Sequence, residues 1–285
     1  MKKQQWTIID IVNWTTDYFS NKGIESPRLN IELMLCSVLN ISRVEVYTQY
    51  DKPLKDIELS VIRDMILKRA DGMPLQYILG KTGFLGLDIL LNDSVMIPRP
   101  ETELLVQKVL DDIGDKREKL SILDIGTGSG CIALALAVRL PLAYILAVDS
   151  SYFALMTAKN NASNLAVTNI NFNQCDILKE IPSKEKFDIV VSNPPYIPMN
   201  EYEKLDIGVK RYEPKNALTD GSDGLTFYKR IAQILPELLK PDGKFYFEIG
   251  YNQKESVMEI FQSHAYVLDF YDDYSGIPRI LKGRK

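Results

Sequence analysis

"SILDIGTGSGCIALALA", residues 121–137, decides how the rest of the chain is read. Ser121 to Ile125 is a short apolar run, the pattern of a strand buried on both faces. It breaks at Gly126, Gly128 and Gly130, and "CIALALAVRL" then reads as a helix that is apolar nearly all round. A strand, a glycine-rich turn and a buried helix are the opening unit of a parallel α/β sheet. Glycines at such a turn let a ligand approach the backbone closely.

The spacing of those glycines counts against two ligand classes, NAD and ATP. The dinucleotide pattern G-x-G-x-x-G is not met, because the third glycine comes one residue early, and no Gly-Lys-Ser/Thr ending forms a phosphate loop. Asp124, two residues before Gly126, suits a cationic ligand and sits badly beside a pyrophosphate. Asp149 ends the next strand, "AYILAVD" (143–149), where a carboxylate accepts from both hydroxyls of an unphosphorylated ribose. A zwitterionic, ribose-bearing ligand without phosphate fits all of this, and S-adenosylmethionine is such a ligand. Its expected contacts are Asp124, Gly126, Thr127, Gly128, Ser129, Gly130 and Asp149.

Downstream, "FDIVVSNPPYIP" (187–198) ends a third apolar run on a polar corner. Two adjacent prolines remove two backbone donors and fix two φ angles. The Asn193 side-chain oxygen accepts one N–H, and the Pro194 carbonyl, held by the Pro194–Pro195 pair, accepts another. Tyr196 adds an aromatic face for a planar group. A corner with two acceptors and no competing donor selects an NH₂ group. That group is either a carboxamide or the exocyclic amine of a base, and the corner alone leaves both open. Asn193 is thus expected to serve both the acceptor and the cofactor, in a cleft shared with Pro194, Pro195 and Tyr196.

Beyond this centre, a helix from about 151 to 163 and strands in "NINFNQCD" and "GKFYFEIG" continue the alternation, with a helix near 225–239. The segments near 265–271 and 278–284 read as an antiparallel pair at a sheet edge. Residues 198–224 read as a long charged connection, and connections of that length are usually functional or mobile. Upstream the period changes. Ile8, Ile11, Val12, Tyr18 and Phe19 lie at helical spacing, Ser26 and Pro27 read as an N-cap and first helical residue, and Ser42 with Glu45 has the spacing of a capping box. A fourth helical segment carries Leu59, Ile62, Met65, Ile66 and Arg69. Gly72, Pro74 and Gly80 interrupt the helical period, and "GFLGLDILLNDSVMIP" suggests a β-hairpin. The expected domains are a helical one over 1–75, a linker and hairpin over 76–98, and a catalytic one over 99–285.

Composition narrows the partners. A net charge of −4, from 34 Lys+Arg against 38 Asp+Glu, lacks the broad basic footprint of a nucleic-acid binder. "MKKQQW" has no apolar stretch of the kind a signal peptide needs, and no run of 18 apolar residues suggests a membrane span. Cys36, Cys131 and Cys175 are widely spaced and odd in number, which argues against a disulfide framework or zinc site and for a reducing, cytoplasmic setting. The single histidine, His264, reads as structural or surface. No metal is expected.

"LDIGTGSGCIALALA", "SNPPYIP", the "IPRPETE" of residues 97–103 and the "EP" of 213–214 together resemble the HemK-type protein glutamine methyltransferases, and more narrowly those acting on class 1 peptide-chain release factors. The resemblance covers almost the whole chain. It implies a seven-stranded Rossmann-like methyltransferase sheet with its last pair of strands antiparallel. It also implies methyl transfer to the Gln amide of a Gly-Gly-Gln motif, with the helical domain contacting the release factor. Asp176 and Ile177 would hold the adenine, the first by bonding its amino group and the second by packing on its face. Arg99, Glu101 and Glu103 would shape the substrate mouth. Tyr202, Tyr212 and Glu213 are further candidate contacts, and Glu248 reads as structural.

Overall fold

The computed structural model describes residues 5–114 and 119–285, so the basic opening at residues 1–4 lies outside the described residues. The chain forms two compact units, Met1–Gly80 and Lys81–Lys285, each around its own apolar cluster.

The first unit is helical: α1 (Ile8–Asn21), α2 (Pro27–Leu39), α3 (Arg43–Thr48), α4 (Asp56–Ala70) and α5 (Leu75–Leu79). Ile8, Ile11, Val12 and Phe19 bury against Ile31, Met34, Leu35, Ile62 and Ile66, while Tyr18 packs at the margin. The capping box is present, with Ser42 N donating to Glu45 Oε2 at 2.8 Å and Glu45 N to Ser42 Oγ at 3.3 Å. Ser26 departs from expectation. Pro27 opens α2, but Ser26 is left-handed (φ 49°) and its side chain makes no capping bond. The residue before a proline is barred from the ordinary helical region. Asn30 Nδ2 ties down this turn instead, donating to the carbonyls of Glu25 and Ser26.

The second unit opens with the expected hairpin, β1 (Lys81–Phe84) against β2 (Leu87–Leu90). Leu85 and Gly86 turn it, both with positive φ, as a two-residue hairpin requires. Leu85 is strained there, and it is held from two sides: its N–H donates to Glu103 and its carbonyl accepts from Arg139 Nη2. Glu103, expected at a substrate mouth, is a fastener of this turn.

After α6 (Pro100–Ile113), a seven-stranded sheet runs in the order β5-β4-β3-β6-β7-β9-β8. The strands are β3 (Ser121–Ile125), β4 (Tyr144–Asp149), β5 (Ile170–Gln174), β6 (Phe187–Ser192), β7 (Leu239–Glu248), β8 (Val267–Asp272) and β9 (Pro278–Arg284). The first five are parallel, and β9 runs antiparallel to both β7 and β8. The two final strands therefore pair as expected, but β9 is inserted beside β7 and only β8 is an edge. Helix α7 (Cys131–Arg139) is buried along most of its length, which explains its lack of a polar face. Helix α8 (Tyr152–Asn164) follows β4.

Two segments differ from the sequence reading. Residues 198–224 are not an irregular loop but hold three short helices, α9 (Met199–Tyr202), α10 (Ile207–Tyr212) and α11 (Lys215–Leu218). Each is too short for a periodic signal. After α12 (Thr226–Leu238) and β7, helix α13 (Lys254–Gln262) buries only Val257 and Phe261, too thin a stripe to announce itself. Phe261 stacks on Phe245 at 5.1 Å, and the Phe245 ring lies so close to Gly283 that a Cβ there would meet it at 2.0 Å. Among the described residues no helix is long and apolar enough to cross a membrane.

The order of the sheet reverses at β3, which has β4 on one side and β6 on the other. In an open parallel sheet the loops leaving such a point part to opposite faces and leave a cleft beyond the strand ends. The glycine loop ends β3 and the asparagine corner ends β6.

Candidate active site

A cleft of about 280 Å³ opens at that switch point. Its lining brings together Gly126, Thr127, Gly128 and Ser129 from the end of β3, Asp149 from β4, Asp176 and Ile177 after β5, and Asn193, Pro194 and Pro195 after β6. Residues 67 positions apart in sequence thus share one wall. Asp124, Gly130, Tyr196, Arg99 and Glu101 are not part of the lining.

The glycine loop is folded tightly over β4, with Gly126 N and Thr127 N both donating to the Val148 carbonyl at 2.8 and 3.0 Å. Gly126 (φ 72°) and Gly128 (φ 56°) have open space where a Cβ would stand, so a ligand can lie against them. Gly130 (φ 83°) differs, because a Cβ there would meet Ala158 Cβ and Leu134 Cδ1 at 3.1 Å. It lets α7 and α8 pack closely behind the loop.

Asp124 lies fully buried behind the same loop. Its Oδ2 accepts from Thr127 Oγ1 at 2.6 Å, and among the described residues its Oδ1 has no partner. Burial pushes its carboxyl up to about 7. Asp149 stands at the rim, its Oδ2 accepting from Gly128 N at 2.9 Å and its Oδ1 from Ser151 N at 2.8 Å. Burial raises this carboxyl too, against the backbone bonds that lower it. A carboxylate has roughly four acceptor positions, so each Asp149 oxygen keeps one for a hydroxyl of a diol. The open glycines and Asp149 make a cradle that fits the adenosyl end of the expected methyl donor. Asp176 bonds Lys179 at 2.8 Å, and that partner holds its carboxyl below the usual value. Ile177 is almost fully buried at the cleft wall.

At the corner, Asn193 Nδ2 donates to Thr102 Oγ1 at 3.1 Å, and Thr102 Oγ1 donates to Glu248 Oε2 at 2.6 Å. Tyr196 OH donates to the other Glu248 oxygen at 3.0 Å. The Tyr196 carbonyl accepts from Gln253 Nε2 at 2.8 Å, and a Cβ on Gly224 would strike that carbonyl at 2.2 Å. Main chain and side chain of Tyr196 are thus both anchored. Thr102 and Gln253 were not singled out in the sequence, and Glu248 was read only as structural. A signal for Thr102 existed: it lies on the buried stripe Thr102, Leu105, Val106, Val109 of α6, and a hydroxyl on an apolar stripe asks for a partner.

Arg99 bonds Glu213 at 2.5 Å, and the other Glu213 oxygen accepts from Ile97 N at 3.2 Å. Glu213 is buried, so this pair stitches the segment before α6 to the segment after α10. Glu101 is half-buried in the first turn of α6. Tyr202 is buried beneath Lys215, and Arg211 lies over the Tyr212 ring. Cys131 and Cys175 line the cleft, with burial pushing their thiols up to about 12 and about 11.

Comparison with known proteins adds to this geometry. Residues 10–80 match the family model described as the PrmC N-terminal domain, and residues 116–269 match that of a methyltransferase domain. A release factor glutamine methyltransferase of Geobacter sulfurreducens is 41% identical over 284 residues, covering 99% of this chain and 98% of that one. Its counterpart in Koribacter versatilis is 40% identical, covering 91% of this chain and 92% of its own. Among solved structures, a methyltransferase from Pyrococcus furiosus shares the fold at 17% identity, with a TM-score of 0.52 over 70% of this chain and 89% of its own.

Proposed function

This chain belongs to the release factor glutamine methyltransferase family, and from that membership we infer that it methylates the side-chain amide nitrogen of the Gln in the Gly-Gly-Gln motif of class 1 release factors. S-adenosylmethionine, when bound, supplies the methyl group on a sulfonium. The chain's own part is to hold, orient and exclude. Thr127, Ser129, Asp176 and Ile177 complete the donor site around Gly126, Gly128 and Asp149, with Asp124 behind the loop holding Thr127.

The observation that carries this reading is the state of the Asn193 amide. Its NH₂ end is taken by Thr102, which leaves the Oδ1 end as an acceptor at the cleft wall. A glutamine NH₂ bonded by Asn193 Oδ1 and the Pro194 carbonyl is fixed in plane, with its nitrogen face directed across the cleft. An amide nitrogen is a poor nucleophile, and holding it in line with the methyl is an effect that reaches about 7–11 kcal/mol in well-aligned cases. No base is required, since the alkylated nitrogen sheds its proton late. Tyr196 contributes from behind the corner, where its hydroxyl and carbonyl are both anchored, while Arg99 and Glu101 are proposed at the approach from α6.

A lone glutamine offers little contact area, so choice of a large protein substrate needs a second surface. The helical unit ending at Gly80 carries none of the donor-site residues and is proposed to supply it. The three unpaired thiols fit a reducing compartment, and we place the enzyme in the cytoplasm with its substrate. The test is transfer of labelled methyl from S-adenosylmethionine to release factor, ribosomes or DNA. Label confined to release factor, and lost when its motif Gln is replaced by Ala, is the expected result; label on ribosomes or DNA alone rejects the proposal.

A further inference from the structure

We infer that Thr102 and Glu248 are positioning residues that decide which end of the Asn193 amide meets the substrate. The inference rests on the proposed amide transfer and adds two side chains that act through Asn193, Thr102 from the cleft lining and Glu248 from behind it.

Glu248 closes β7, is 1% exposed, and faces two hydroxyls, Thr102 Oγ1 at 2.6 Å and Tyr196 OH at 3.0 Å. An ionised carboxylate only accepts, so both hydroxyls must donate to it. Thr102 has a single hydroxyl proton. Once that proton points at Glu248, Thr102 can only accept from its other neighbour, Asn193, at 3.1 Å. The group it accepts from is the NH₂ end, and Oδ1 is turned the other way.

The two ends of a carboxamide are nearly equal in size, so shape alone does not choose between them. The reversed amide would set Asn193 Oδ1 against a threonine oxygen with no proton between them. It would also offer an N–H toward a substrate that itself brings N–H groups. Glu248 therefore sets the polarity of the corner through one intervening hydroxyl. The arrangement is braced at its ends: Tyr228 OH donates to the Glu248 backbone carbonyl at 2.7 Å, and Gln253 holds the Tyr196 backbone. Buried polar chains of this kind have force only when every member is satisfied, and here each hydroxyl proton has a taker.

The test compares the full-length wild type with Thr102→Val, Thr102→Ser and Glu248→Gln. Thr102→Val keeps the shape of the side chain and removes the hydroxyl. It should lower kcat by about 10²-fold, the scale of an ångström-level misplacement, with donor affinity unchanged. Thr102→Ser, which keeps the hydroxyl, should restore most of the rate. Glu248→Gln can face Thr102 with either end of its amide, so the polarity is no longer fixed and kcat should fall to a value between wild type and Thr102→Val. Nitrogen-resolved NMR of the Asn193 side-chain amide supplies a reading that needs no substrate: its hydrogen-bonded signature should be present in wild type and Thr102→Ser and lost in Thr102→Val. Wild-type kcat in Thr102→Val, or an Asn193 amide signal indifferent to that change, overturns the inference. Should the wild type fail to methylate release factor, the substrate proposal falls, and the amide signal still decides the relay.

Discussion

Replacing Asp149 by Asn changes one atom and should weaken donor binding by an amount the structure allows to be worked out. The carboxylate accepts from Gly128 N through Oδ2 and from Ser151 N through Oδ1. One acceptor position on each oxygen remains for the two ribose hydroxyls. An asparagine keeps one oxygen and presents an NH₂ in place of the other. Whichever way it turns, that NH₂ faces a backbone N–H, and one hydroxyl loses a charged acceptor. A hydrogen bond to a charged group contributes about 1.5–3 kcal/mol, so donor affinity should fall by about 10- to 100-fold. Folding should suffer as well, because a backbone N–H is left facing a donor, at about 1–3 kcal/mol if it stays buried. Calorimetric titration of wild type and Asp149→Asn with S-adenosylmethionine and with its demethylated product measures the first effect, and urea unfolding measures the second. An unchanged Kd for both ligands in a folded Asp149→Asn protein would refute the ribose assignment and the logic that built the site from it.

Other outcomes follow from the same contacts. Asn193→Ala should abolish transfer while leaving donor affinity within a few-fold, because its bond to Thr102 and its free oxygen serve the acceptor; calorimetry beside a rate assay separates the two. The rate at saturating donor should fall with acid at a pH above 4.5, the ordinary glutamate value, because burial raises the Glu248 carboxyl against the Thr102 and Tyr196 hydroxyl bonds that lower it, with Glu101 raising it further and Arg279 opposing. Protonated Glu248 would donate to Thr102 and reverse the corner, so Glu248→Gln should lack that acid limb in a pH–rate profile. Gly283→Ala should destabilise the catalytic unit by about 1–3 kcal/mol, since its methyl would enter the Phe245 ring; urea unfolding reads the loss. Removal of residues 1–80 should spare donor binding and cost far more activity on whole release factor than on a short peptide carrying Gly-Gly-Gln, which kinetics on both substrates would show.

Much of this was legible along the chain because it is carried by local pattern. β3, β4 and β6 are apolar runs ended by glycine, aspartate and asparagine, and a central parallel strand cannot be written otherwise when both its faces are covered. The capping box at Ser42 was equally plain, since both of its bonds lie within four residues. What escaped was carried by partners distant in sequence. Thr102, Glu248 and Gln253 act through neighbours 91, 146 and 57 residues away, and no window of sequence contains both ends of such a bond. The bond from Leu85 N to Glu103 was not legible either, because an acid in the first turns of a helix gives no hint that a hairpin turn at Leu85 needs an acceptor. Asp124, expected beside the ligand, stands behind the loop: the aspartate two residues before Gly126 still lies on the buried strand. The short helices between 199 and 218 failed for a different reason, since four to six residues make barely one turn and have no period to read.

The proposed role of the Asn193 corner is to receive a glutamine side-chain amide of release factor. Its most direct test is to incubate the full-length enzyme with S-adenosylmethionine and purified class 1 release factor, digest the product, and locate the added methyl by fragment mass. The expected product carries a single methyl on the side-chain nitrogen of the Gln in Gly-Gly-Gln, absent when Asn193→Ala replaces the wild type. A methyl on another residue, or one still added by the Asn193→Ala enzyme at the wild-type rate, would contradict it.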